Sequence, residues 1–169
     1  ISQLTVALQE LGHQCEVITL DAVNAPGVTD FPGLVHAFGP SWGTYSYNIK
    51  LTPWLKKNIN RFNAVVVSGI WQYPSFAVWL VSRKINFPYF VFIHGALDPW
   101  FKHAYPLKHL KKWLYWPWAE YRVLRDASAV LFTNIGERKS ASESFWLYKA
   151  NELVVNYGIG SPQGDPDKQ

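Results

Sequence analysis

The sequence predicts an α/β protein: a Rossmann-like, mostly parallel sheet with helices on both faces. Three observations carry that reading. Short runs of branched and aromatic residues alternate with longer stretches of helical periodicity along the whole chain. Several runs are apolar throughout, as in Tyr89-Phe90-Val91-Phe92-Ile93, the pattern of a strand covered on both faces. The runs end abruptly at Gly or Pro, as at His94-Gly95 and Gly39-Pro40.

The elements follow in order. Ile1, Leu4, Leu8 and Leu11 have helical spacing and Gly12 is a plausible stop. Cys15 to Leu20 reads as a strand. This helix-then-strand opening, with no Met and starting Ile1-Ser2-Gln3-Leu4, fits a βαβ unit whose first strand precedes Ile1. Asn24 to Gly33 is a Pro/Gly/Asp loop and Leu34 to Phe38 a short strand. Tyr45 to Arg61 reads as a helix in which Pro53 marks a late start or a kink. Ala64 to Ser68 is a buried strand, Gly69 to Tyr73 its exit loop, and Pro74-Ser75 opens a helix through Ile85. The Tyr89–Ile93 strand comes next, and Val65–Val67 and Tyr89–Ile93 are expected at the centre of the sheet. His103 to Arg125 is basic, aromatic and helical, opened by Pro106 and kinked at Pro117. Ala129 to Thr133 is a strand, Gly136 to Tyr148 a helix, Leu153 to Val155 a last strand. Asn156 to Gln169, rich in Gly, Pro and Asp, reads as a linker.

With 169 residues, 49% of them hydrophobic, the chain can bury one core and is not disordered. The formal net charge of +4 suits an anionic partner but lacks the density of a dedicated nucleic-acid binder. Cys15 has no second cysteine to pair with, which argues for a reducing compartment and against a Cys/His zinc cluster. Neither an apolar run near eighteen residues nor a signal peptide is present. Gly-x-Gly-x-x-Gly, the P-loop and Gly-x-Ser-x-Gly are absent, so nicotinamide enzymes, NTPases and serine hydrolases lose their main signatures.

In an open α/β sheet ligands bind beyond the carboxyl ends of the strands, and sequence order puts His94 there. A side chain that can change charge near neutrality suits chemistry or the holding of a polar substrate; a histidine bonded to backbone at a strand end is the plainer role. Gly95 lets the backbone turn behind it. Asp98 either bonds substrate hydroxyls or caps the Asp-Pro turn. Thr133 and Glu137 stand where a strand opens into a helix, which serves anion binding or ordinary N-capping of Asn134. Nine Trp serve either an aromatic core or a surface that stacks on sugars or sits at a membrane. Lys102, Lys108, Lys111 and Lys112 lie near Trp113, Trp116 and Trp118, so this helix either has a solvated face or rests on an anionic membrane.

His94-Gly95-Ala96-Leu97-Asp98-Pro99-Trp100, then Lys111-Lys112-Trp113-Leu114-Tyr115, Leu124-Arg125-Asp126-Ala127 and Phe132-Thr133 with Glu137, resemble the N-terminal half of GT-B glycosyltransferases of family four (group 1). Leu8-Gln9-Glu10-Leu11-Gly12-His13 and Val155-Asn156-Tyr157-Gly158-Ile159 are similar to the family's first helix and to its segment before the second domain. The resemblance implies residues 1–157 as an acceptor-binding domain lacking its first strand, and 158–169 as a linker to a C-terminal domain that binds the nucleotide-sugar donor. It implies glycosyl transfer with retention to a saccharide or lipid-linked acceptor, as in polysaccharide biosynthesis, with no cofactor, no metal and no nucleic-acid partner, and with no turnover by this segment alone. Its implied setting is cytoplasmic, with peripheral contact at the inner face of a membrane. On that carry-over His94 serves catalysis, and Gly95, Asp98, Trp100, Trp71, Lys102, Thr133 and Glu137 line the substrate site. Ser68 stands where relatives often have His. The rivals are a Rossmann-type epimerase or dehydrogenase, with Asp21 as its acidic residue, and a non-catalytic carbohydrate- or membrane-binding module.

Overall fold

The structure, a computed structural model, describes residues 1–100, 104 and 106–155. The expected linker from Asn156 onward and the site candidate Lys102 lie outside the described residues. Helix α1 (Ser2–Glu10) leads into β1 (Glu16–Thr19), a single turn α2 (Pro26–Thr29) and β2 (Leu34–Ala37). Then come α3 (Leu51–Asn58), β3 (Val65–Ser68), α4 (Tyr73–Ile85) and β4 (Tyr89–Phe92). The chain continues as α5 (Pro106–Tyr115), α6 (Glu120–Asp126), β5 (Ala129–Phe132), α7 (Ile135–Ala141) and β6 (Glu152–Val154).

The strands form two parallel sheets, β1-β2 and β3-β4-β5-β6. In the larger one each strand lies beside the next in sequence, with Ser68 level with Phe92 and Phe92 with Leu131. Parallel neighbours need a crossover, and the helices between the strands supply it. The carboxyl ends of all four strands therefore share one edge. Side chains alternate in register with the pleat. Val67, Tyr89, Val91, Ile93, Val130 and Phe132 join the main core with Ala77, Val78 and Trp79 of α4 and Leu51 and Leu55 of α3. Phe92, Ala129 and Leu131 form a small cluster on the opposite face.

Four expectations need correction. β4 is central, but β3 is at the edge of its sheet and Val66 is half exposed, because β1 pairs with β2 and not with β3. The Tyr45–Arg61 helix is shorter than its expected bounds and takes the late start that Pro53 marks: it begins at Leu51, with Pro53 in the first turn, where a missing N–H costs nothing. Asn48 Oδ1 accepts the N–H of Lys50 just ahead of it (2.9 Å). The basic aromatic segment is two helices, since Pro117 cannot donate into a continuing ladder and residues 116–119 turn instead. The last helix ends at Ala141, because the Ser144 hydroxyl donates to the Leu97 carbonyl and Phe145 turns into the core.

Candidate functional site

A cavity of about 430 Å³ opens at the shared carboxyl edge of β4 and β5, lined among others by His94, Gly95, Asp98, Thr133, Glu137 and Ser140. Four of the residues predicted from sequence thus meet there with His94. The local backbone explains why. Residue 94 is in the left-handed region at φ 48° and Gly95 follows at φ 71°, so the chain reverses within two residues of the strand. Nothing lies within 4 Å of a Cβ built on Gly95, so glycine is needed there for its conformation and not for space. Histidine tolerates the left-handed region better than most residues, and strain of this kind gathers at functional sites.

The imidazole is exposed, stacked on the Phe92 ring (centroids 5.4 Å, 13° between planes), and its Nε2 is 2.9 Å from Ser68 Oγ. Ser68 therefore holds one ring nitrogen of His94 from the neighbouring strand. The Glu137 carboxylate ties the two strand exits together. Oε1 accepts the Gly95 N–H at 2.6 Å, and Oε2 accepts both the N–H and the hydroxyl of Thr133 at 2.7 Å. Glu137 and Thr133 thus build the wall of the cavity, while Asn134 Oδ1 caps α7 by accepting the Glu137 N–H (2.8 Å). Asp98 lines the cavity and also closes a turn by accepting the Trp100 N–H at 2.8 Å. Trp100 is exposed directly beyond that turn.

Trp71 is placed differently. Its indole packs 5.7 Å from Trp116 and 5.5 Å from Phe145, and Lys112 Nζ sits 4.6 Å from the Trp71 ring centroid. The indole N–H donates to the Ala96 carbonyl at 3.1 Å. Trp71 therefore braces the turn that carries His94 from behind instead of lining the cavity.

Sequence reasoning missed Glu120, which is fully buried on α6. Oε1 accepts the Trp71 N–H at 3.0 Å, and Ser75 Oγ is 3.4 Å away. Oε2 accepts no hydrogen bond among the described residues. Burial pushes its pKa up to about 7, against the opposing pull of the Trp71 N–H, Ser75 and Lys112. An acidic residue inside the aromatic stretch Trp116–Tyr121 was the one available signal. Nearby, the Tyr45 and Tyr115 hydroxyls meet at 2.5 Å, and burial raises both phenols above the usual range. The Asp21 carboxylate, the acidic group of the Rossmann alternative, is engaged by its own neighbour, accepting from Thr19 Oγ1 at 2.6 Å.

The sequence model of the glycosyl transferase 4-like domain family matches residues 1–158. The chain belongs to that family. Its parallel α/β architecture is that of the Rossmann-like half expected of a GT-B transferase. No curated protein and no solved structure matches it.

Proposed function

We propose that this chain is the acceptor-binding domain of a retaining hexosyltransferase that moves a sugar from a nucleotide-sugar to a saccharide or lipid-linked acceptor. The chemistry of the cavity lining carries the reading. Imidazole, carboxylate, hydroxyl and amide groups converge from His94, Asp98, Thr133, Ser140 and Asn134, and among the described residues neither Lys nor Arg lines the cavity. Such a wall suits the neutral hydroxyls of a saccharide, and the Asp98 and Glu137 carboxylates in it disfavour a diphosphate although the α7 N-terminus opens on the cavity. Trp100 offers an exposed aromatic face beside Asp98 for the apolar side of a sugar ring. The donor's diphosphate is held by a second domain that follows this one in the intact protein, as the resemblance implies.

The test is calorimetry on residues 1–169 with a nucleotide-sugar. The expected Kd is weaker than about 1 mM, on the order of −4 kcal/mol or less in magnitude. Micromolar binding would overturn the reading and favour a Rossmann-type nucleotide enzyme.

The partner surface is an anionic membrane. No helix among the described residues is long and apolar enough to cross a bilayer. Leu107, Leu110 and Leu114 fall on one face of α5 at helical spacing, and all three are exposed. Trp113 on the same helix and Trp146, with ring centroids 5.9 Å apart, are exposed indoles, as is Trp118 just past Pro117, and Lys111 is exposed on α5. Apolar stripe, indoles and cations together fit an interfacial helix. Trp116, expected in this contact, is instead fully buried; Lys102 and the side chain of Lys108 lie outside the described residues. Each Lys near an anionic surface contributes about 1 kcal/mol, screened by salt. Co-sedimentation should show at least about tenfold more binding to phosphatidylserine-containing vesicles than to phosphatidylcholine ones at low salt, consistent with more than 1 kcal/mol of attraction. The double variant Leu110→Glu, Leu114→Glu should abolish it. Equal binding to both vesicles, or none to either, would leave α5 an ordinary surface helix.

A further inference from the structure

We propose that Glu120 is a positioning residue for His94, acting through Trp71: its carboxylate fixes the turn that leaves β3, and the Trp71 indole carries that constraint to the turn that holds His94. The proposal rests on the reading that His94 works at the site.

The chain of contacts is short and each link is polar. Trp71 is at φ 72°, a conformation that a bulky side chain adopts only when its surroundings hold it there. The hold is the hydrogen bond from the Trp71 N–H to Glu120 Oε1 at 3.0 Å, made across 49 residues of sequence. From the same residue the indole N–H reaches the Ala96 carbonyl at 3.1 Å. Ala96 itself donates its N–H to the Ile93 carbonyl at 3.0 Å, closing the turn around His94 and Gly95. Ser68, which contacts His94 Nε2, is three residues before Trp71 on the strand that opens this loop. Both β3 and β4 exits are therefore referenced to one buried carboxyl group.

That group is unusual for a purely structural anchor. A buried carboxylate is normally satisfied at both oxygens, and here Oε2 accepts nothing among the described residues. Lys112 of α5 favours its charged form. The Tyr115 hydroxyl of α5 and the Tyr45 hydroxyl ahead of α3 face it, and both phenols are raised in part by its charge; Tyr73 of α4 acts in turn on Tyr45. Burial dominates this balance and places the titration of Glu120 at about 7. Ionised, Oε1 receives a charge-assisted bond from the Trp71 N–H; protonated, the carboxyl holds the turn more weakly. The order of the β3 exit, and with it the His94 turn, is thereby expected to tighten as pH rises through neutrality.

The test is two-dimensional NMR of the nitrogen-15-labelled chain from pH 5 to 8.5. The expected result is one common transition near pH 7 in the Trp71 amide, the Trp71 indole N–H and the Ala96 amide. Glu120→Gln keeps the size and an acceptor but should lose that transition at all three probes. His94→Ala should retain it, which separates the carboxyl from the imidazole. Glu120→Leu removes the acceptor and should speed solvent exchange of the Trp71 indole by at least about tenfold relative to the Trp116 indole, as a local opening. If Glu120→Leu does not fold, the Glu120→Gln titration decides alone. A Trp71 transition that survives in Glu120→Gln, or one confined to the Trp71 amide while its indole and Ala96 stay still, overturns the proposal. None of these probes reads transfer, so a His94→Ala enzyme with normal turnover would sink the functional reading and leave the coupling between Glu120 and the His94 turn intact.

Discussion

His94→Ala in the intact transferase is expected to lower the rate of transfer by about 10²-fold or more, with the loss in kcat exceeding any change in KM, as for a group whose hydrogen bond strengthens in the transition state. Folding stability should change by less than about 1 kcal/mol, the usual range for an exposed side chain outside the core. The asymmetry follows from the geometry. The imidazole is exposed at the cavity, its Nε2 is within hydrogen-bond distance of Ser68 Oγ, and its ring stacks on Phe92. Alanine forfeits those contacts and keeps the left-handed backbone that Trp71 and Glu137 enforce from either side. His94→Asn is a useful companion, because asparagine also accepts a positive φ and retains one polar group. Steady-state kinetics and urea unfolding of both variants check the expectation. Turnover near wild type in His94→Ala would return this residue to a strand-end role with no part in the chemistry.

Much of the layout was legible in the sequence because it is local. Gly95 after Tyr89–Ile93 signalled the end of a buried strand, and His94 is where that signal put it, just past the carboxyl end of β4. Thr133 and Glu137 were legible as a strand exit opening into a helix, and the same rule gave Asn134 as the cap. What sequence did not carry is non-local. The position of β3 depends on which strand pairs with which, and no residue in Val65–Ser68 records that β1 prefers β2. Glu137 was placed in the site by resemblance, yet its three bonds to Gly95 and Thr133 belong to distance in space. Glu120 was invisible because its partner Trp71 is 49 residues away. Periodicity also failed to sort the tryptophans of the basic segment. Pro117 ends the helical phase, so Trp116 turns inward while Trp118, two residues on, faces out.

That sorting sets the largest stability effect expected in the chain. Trp116→Ala should cost roughly 4 kcal/mol, in the range for removing a large buried aromatic side chain. The indole is 0% exposed and stacks on Phe145 at 4.1 Å with 9° between planes. It also supports Trp71 at 5.7 Å. Its N–H donates to the Leu147 carbonyl at 2.5 Å, so alanine leaves that acceptor without this donor as well as a cavity. For a domain of this size the midpoint of thermal unfolding should fall by about 10 °C, at a few degrees for each kcal/mol. Trp118→Ala, two residues along, removes a side chain that is 69% exposed and should cost less than about 1 kcal/mol. Trp116→Phe keeps most of the stacking on Phe145 but forfeits the hydrogen bond and part of the ring volume, for an expected loss of about 2 kcal/mol, between those of the two alanine variants. Denaturant unfolding of the three variants measures all of this directly. If Trp116→Ala and Trp118→Ala lose the same stability, the inward turn at Pro117 is wrong, and with it the brace that Trp116 and Phe145 give to Trp71 behind the His94 turn.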